Sequence, residues 1–330
     1  MTRIMMQVFA VIVLFQSCTS DYEVPPVNKN SIPEAKELLK YIYSIKSNKI
    51  MSGQHNYAHE LQRSSDSVYA MTGKYPAVWG SDFVGKRHRQ EMIKEVIRQH
   101  KNGSIITLMY HQGRPYEDSI GHFRDTISDT DWLKLVTPGT EIHQTWLDDI
   151  DRVAFWLKKL EDENIPVLWR PYHEMNGTWF WWCDKKGENG IQALWKLMYE
   201  RFVKYHQLKN VLWVWNANGP RDWENDEAYA YRHYFPGLEY VDILATDIYK
   251  ADYKQSHHDD LLTLAKGKPI ALGEVGKLPT PEILSSQPQW AWFMVWARFI
   301  WRVNEPDSVL EIYNLPKTLT REEIYITNEE

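Results

Sequence analysis

Eight short apolar runs recur along the chain, each separated from the next by a segment long enough to hold a helix, and this alternation constrains the fold more than any other feature. Residues 49–55, 75–82, 104–111, 165–169, 210–216, 241–247, 268–276 and 291–297 read as strands. Helical periodicity occupies 32–47, 89–100 and 143–164. Strands separated by helices pair in parallel through right-handed crossovers. The expected architecture is α/β, a (β/α)8 TIM barrel forming a single catalytic domain over residues 31–330. The chain has 330 residues, 43% of them apolar, enough for a barrel of roughly 250 residues with long loops. No short motif recurs, which excludes a solenoid or propeller. A doubly wound open sheet is the alternative, but no Gly-rich phosphate loop supports it.

A parallel barrel carries its active site at the C-terminal ends of its strands, and polar residues collect there. The tips hold His55, Asp82, His111 with Gln112, His173 with Glu174, Asn216 with Asn218, Asp247 with Tyr249, and Glu274. Singly, each of these is more often a local hydrogen-bonder or a solvated loop residue than a functional group. Glu174 precedes Trp179, Phe180, Trp181 and Trp182, and a carboxyl walled by rings loses hydration, so its pKa should rise toward the range of a general acid. Glu274 ends a second apolar strand, with Gly273 and Gly276 expected to let the backbone turn and a ligand approach. Two glutamates at two strand tips suggest a paired-carboxylate site.

The segment Arg170-Pro171-Tyr172-His173-Glu174-Met175-Asn176-Gly177, followed by Trp179 and Trp181-Trp182, closely resembles the acid/base motif of glycoside hydrolase family 26, and Leu272-Gly273-Glu274 resembles its nucleophile motif. The family consists mainly of retaining β-1,4-mannanases on a (β/α)8 barrel, with minority members acting on β-glucan or xylan. The resemblance implies Glu174 as acid/base and Glu274 as nucleophile. His173 stands where most of the barrel clan has asparagine. His111 is implied to bond a sugar hydroxyl, with Trp179 and Tyr249 orienting the sugar. Trp296 is the implied floor beneath it, a role for which Trp292 competes. Arg170 or Tyr249 could keep Glu274 ionised through hydrogen bonds, and His55 and Asp82 complete the expected substrate-binding set.

No cofactor is expected, and no metal. His173-Glu174-Met175-Asn176 lacks the second histidine a zinc helix requires, and no Cys pair is present. A metal-dependent deacetylase or a non-catalytic glycan-binding lipoprotein are the competing classes. Chain-internal cleavage and release of mannobiose from chain ends stay open, since loops decide between them; residues 112–142, with Arg114, Trp132 and Pro138, form the longest candidate loop.

Net charge is −6 with no basic run, so nucleic acid is an unsuitable partner and an uncharged polysaccharide fits. Sixteen tryptophans serve either a large core or sugar stacking. At the start, Arg3, an apolar stretch 4–15 too short to span a bilayer, and Phe15-Gln16-Ser17-Cys18 resemble a bacterial lipoprotein signal. The expected organisation is a signal peptide 1–17, a lipidated Cys18, and a flexible tether 18–30; a plain secretory signal is the alternative. Only Cys183 would then remain, excluding an internal disulfide. The chain is expected to be an exported monomer, periplasmic or at the outer membrane or cell surface, where Asp21 and Glu23 hint at surface export. Residues 304–330 read as a last helix and tail.

Overall fold

In the computed structural model, which describes residues 24–116 and 124–324, all eight apolar runs contribute strands. They are β1 (Ile50–Met51) with β2 (Gly53–His55), β3 (Val78–Asp82), β4 (Ile105–Tyr110), β5 (Val167–Pro171), β6 (Val211–Asn218), β9 (Ile243–Ile248), β10 (Ile270–Val275) and β11 (Trp290–Val295). A hairpin of β7 (Arg221–Trp223) and β8 (Asp226–Ala228) follows β6, and β12 (Thr318–Leu319) comes last. The order β2-β3-β4-β5-β6-β9-β10-β11 is parallel throughout, and β11 pairs with both β10 and β2. The sheet therefore closes into an eight-stranded barrel, as the alternation demanded.

Helices α1 (Pro33–Ile45), α2 (Arg63–Thr72), α3 (Arg89–Lys101), α4 (Asp129–Leu135), α5 (Glu141–Glu161), α6 (Ile191–Glu200), α7 (Gln255–Ala265), α8 (Pro281–Ser286), α9 (Phe299–Arg302) and α10 (Pro306–Asn314) surround it. Outward-facing Trp79, Trp169, Trp213 and Trp215 lie in one apolar cluster with Val96, Trp146, Leu157 and Phe202 from the helices. Each such side chain contributes about 1.5–3 kcal/mol on burial. Twelve of the sixteen tryptophans are buried; Trp156, Trp223, Trp296 and Trp301 are not. The tryptophan excess is thus mostly core.

Helix α1 starts at Pro33, suited to a first helical turn, and seals the N-terminal mouth. Its Ala35, Leu38, Leu39 and Ile42 pack with inward-facing Leu168, Leu212, Ile243, Ala271 and Trp292. Trp292 therefore belongs to the closed end of the barrel and cannot be a sugar floor. Along each strand the inward positions change from apolar at this end to polar at the other, as in Leu212, Val214, Asn216 and Asn218 of β6.

Three boundaries differ from expectation. The first strand breaks at Ser52, whose hydroxyl donates to Leu319 O (2.9 Å) and accepts from Ala77 N (3.2 Å), because β12 adds to β1 there. The C-terminal region is hence a helix and a strand locked onto the barrel as far as Ile324. Of the segment assigned to a flexible tether, the last residues are fixed: Val27 N donates to Asp242 Oδ1 (2.7 Å) and Asn28 Nδ2 to Leu208 O (2.8 Å). Cys18 and the signal segment lie outside the described residues. No helix among the described residues is long and apolar enough to cross a membrane.

Candidate active site

Strand β5 ends at Pro171, and the chain then curls before the expected Asn-Gly turn. Tyr172 (φ 48°) and Glu174 (φ 55°) both adopt the left-handed conformation, which costs a non-glycine residue about 1–3 kcal/mol. Local bonds offset this cost. Glu174 N donates to Asn216 O (2.9 Å), while the Tyr172 hydroxyl receives Trp146 Nε1 (2.8 Å) and donates to Gln112 Oε1 (2.6 Å). Gly177 lets the chain fold back, since a Cβ there would lie 2.5 Å from the Trp179 ring.

The Glu174 carboxyl is thereby held between two donors. Asn218 Nδ2 donates to Oε1 and Trp179 Nε1 to Oε2, both at 2.6 Å. The group is 6% exposed. Burial first, and the Glu274 charge second, push it up to about 7, against the pull of Asn218, Trp179 and Arg221. It can hold a proton near neutral pH and release it.

Glu274 reaches the site through an irregularity. Ala271 faces the barrel interior and Leu272 the helices, so strict alternation would turn Glu274 outward. The register instead slips by one residue between Leu272 and Glu274, setting Glu274 opposite Asp247 and aiming it inward, a known use of bulges. Gly273 makes the slip possible: a Cβ there would fall 1.6 Å from Asn216 Oδ1. The glycine serves a neighbouring side chain, where the sequence suggested ligand access. Arg170 Nη2 donates to Glu274 Oε1 (2.7 Å), Tyr249 OH donates to Oε2 (2.6 Å), and His173 Nε2 stands 3.7 Å from Oε1.

One oxygen from each of Glu174, Asp247 and Glu274 lies within 4.8 Å of the others. Such a cluster could attract a cation, but Arg170 already supplies the charge, with Nη1 3.6 Å from Asp247 Oδ2. Asp247 is fully buried, and burial together with Glu274 raises its carboxyl well above the usual range. The Arg170 guanidinium thus faces two of the three carboxyl groups, 3.6 Å from Asp247 and 2.7 Å from Glu274.

Three histidines form the other wall. Burial pushes His111 down, but Asp82 outweighs it, accepting at 2.5 Å from the ring and at 3.1 Å from the backbone amide, so the net shift is upward. His55 is lowered to about 3 and His173 well below its usual value, chiefly by burial; both are neutral at physiological pH. His55 stacks on the partly exposed Trp296, centroids 4.1 Å apart. Of the two competing tryptophans, Trp296 lies at the open end beside His55 and Trp292 at the closed end.

The ten residues singled out in the sequence as catalytic or substrate-binding, His55, Asp82, His111, Arg170, His173, Glu174, Trp179, Tyr249, Glu274 and Trp296, thus share one end of the barrel. Trp132 does not join them: it is buried beneath Trp181, donating to Asn189 O (2.7 Å). Two roles were missed. The sequence places Asn218 with Asn216 at a strand tip but assigns it no role, and nothing in it singles out Arg221, on the β7–β8 hairpin. A two-residue turn, Glu224-Asn225 with Asn225 at φ 60°, was the available signal.

Fold and site together define a parallel barrel whose open end pairs two carboxyl groups, one raised toward neutrality and one held by an arginine and a tyrosine. The family model of glycosyl hydrolase family 26 matches residues 27–323, and the chain belongs to that family. A mannan endo-1,4-beta-mannosidase of Thermothelomyces thermophilus is 32% identical over 90% of this chain and 62% of its own length; one of Bacillus subtilis is 27% identical over 92% and 90%. The first three curated relatives extend well beyond the match, the chain spanning 45 to 62% of their length. Among solved structures, GH26A from a Muricauda species superposes with a TM-score of 0.88 at 49% identity, covering 90% of this chain and 99% of that one.

Proposed function

We propose that this glycoside hydrolase is a retaining β-1,4-mannanase that cuts mannan or manno-oligosaccharides by double displacement. The observation that carries the mechanism is the spacing of the carboxyl groups. Oxygens of Glu174 and Glu274 within 4.8 Å fit the spacing of about 5–5.5 Å between the carboxyl groups of retaining enzymes better than the about 6.5–9.5 Å that inverting enzymes keep for a water. In the first step a Glu274 oxygen attacks the anomeric carbon while Glu174 gives its proton to the departing oxygen. In the second, Glu174 takes a proton from water, which attacks the same carbon and frees Glu274. Arg170 and Tyr249 aim the Glu274 oxygens. The neutral His173 and the Asp82-braced His111 offer hydrogen bonds to sugar hydroxyls, and Trp296 offers a flat apolar surface to the ring.

Mannan as substrate is supported by the relatives, whose names specify endo-acting mannosidases. Release of mannobiose from chain ends is the other mode this site can serve. A time course on purified linear β-mannan, with Glu174→Gln and Glu274→Gln controls, tests the assignment. A ladder of oligosaccharides identifies internal cleavage and mannobiose alone identifies chain-end action. No product from mannan, with turnover of β-glucan or xylan, overturns the substrate.

The export reading, a monomer anchored through a lipidated Cys18 in the periplasm or at the outer membrane, is proposed on the sequence signal. Radiolabelled palmitate incorporation, abolished by Cys18→Ala, is the check.

A further inference from the structure

Both donors to the Glu174 carboxyl are held by one side chain outside the barrel. Arg221 Nη1 donates to Asn218 Oδ1 (2.5 Å), which leaves the Asn218 amide nitrogen directed at Glu174 Oε1. The same guanidinium lies 4.9 Å from the centroid of the Trp179 ring, whose Nε1 donates to Glu174 Oε2. Arg221 is itself fixed. Its Nη2 and Nε donate to Asp226 Oδ1 (2.6 Å) and Asp226 O (2.8 Å) across the hairpin, and it lies 4.7 Å from the Trp223 ring. Lys250, at the tip of β9, donates to Asp226 Oδ2 (3.1 Å) and sits 4.4 Å from the same Trp223 ring, pinning the hairpin to the barrel. The Arg221 side chain is 7% exposed, so solvent screens its contacts with Asn218 and Trp179 little.

We propose that Arg221 is a positioning residue for the acid/base: through Asn218 and Trp179 it fixes both hydrogen bonds that orient the Glu174 proton toward the departing oxygen. An amide side chain left without Arg221 can rotate by half a turn, which would place its carbonyl against Glu174 and reverse the polarity of that contact. Proton transfer depends on such placement to within a fraction of an ångström. Arg221 acts on the Glu174 carboxyl through two intermediaries, Asn218 and Trp179.

This inference rests on Glu174 being the acid/base, and leaving-group dependence separates the two. Mannan and its oligosaccharides need a protonated leaving oxygen, whereas a dinitrophenyl β-mannobioside departs without one. Arg221→Met, which keeps length and removes the charge and donors, should lower kcat/KM on manno-oligosaccharides by about tenfold to a hundredfold, while the first chemical step on the aryl glycoside changes by less than about threefold. Its alkaline activity limb should also move to higher pH, because Arg221, Asn218 and Trp179 all pull the Glu174 carboxyl down and all three weaken together. Asp226→Asn, which retains Arg221 and loosens its tether, should show the same pattern at smaller amplitude. Equal losses on both substrates with an unmoved limb, or no loss on either, overturn the inference. If Glu174→Gln itself shows no leaving-group dependence, the acid/base assignment fails first; if it does and Arg221→Met does not, only Arg221 is wrong.

Discussion

The two mouths of the barrel use the same strands and differ in what the inward positions carry. At the N-terminal mouth, Leu168, Leu212, Ile243, Ala271 and Trp292 meet the apolar face of α1, and the contact is dry and closed. At the C-terminal mouth, Arg170, Asn216, Asn218 and Asp247 take the corresponding inward positions one to three steps further along, and Glu274 is brought among them by a bulge. The first mouth is closed by apolar packing, and the second gathers the carboxyl groups. The second also carries the molecule's costly features: left-handed Tyr172 and Glu174, a fully buried Asp247 lacking hydrogen bonds to either oxygen among the described residues, and three carboxyl groups in contact range.

Substitutions can break this division. Glu274→Gln should lower kcat by about 10³-fold or more while the folded state persists; a thermal scan beside the assay checks both halves, and a lost fold would mean that the open end is also structural. Glu174→Gln should cost about 10²- to 10⁴-fold on mannan. It should also remove the alkaline limb of the pH profile. In the wild type, kcat/KM should fall as pH rises past about 7, because the acid must be protonated and burial beside Glu274 sets its carboxyl there. At the closed end, Leu39→Ala should reduce unfolding free energy by about 2–5 kcal/mol with kcat unchanged, since Leu39 is 1% exposed and packs only in the sealed mouth. Urea unfolding measures it. The smallest effect is expected for Asp82→Asn, about tenfold in kcat/KM. His111 should then titrate at lower pH, because the Asp82 carboxylate, the main counterweight to burial, would be gone and only the weaker pull of Glu274 would remain; histidine NMR follows that change.

The barrel was legible because strands buried on both faces read as continuous apolar runs, and their spacing leaves few topologies. The site was legible as far as strand tips are: His55, Asp82, His111, Glu174, Tyr249 and Trp296 sit where the runs end. What the sequence hid depends on non-local geometry. The bulge at Gly273 that aims Glu274 inward is set by the Asn216 amide on another strand. Trp132 and Trp292 carry the same side chain as Trp296, and only the packing of α4 and α1 shows that they are core. Arg221 lies on a hairpin of two three-residue strands, too short for a periodic signal, and its target is reached through Asn218.

The spacing of Glu174 and Glu274 is tested most directly by the stereochemistry of the first product. Proton NMR of the anomeric region, recorded in the first minutes of manno-oligosaccharide hydrolysis before mutarotation, should show the β-anomer appearing first and the α-anomer growing in later. Initial appearance of the α-anomer would mean that water attacks directly, and the double displacement assigned to this pair of carboxylates would be wrong.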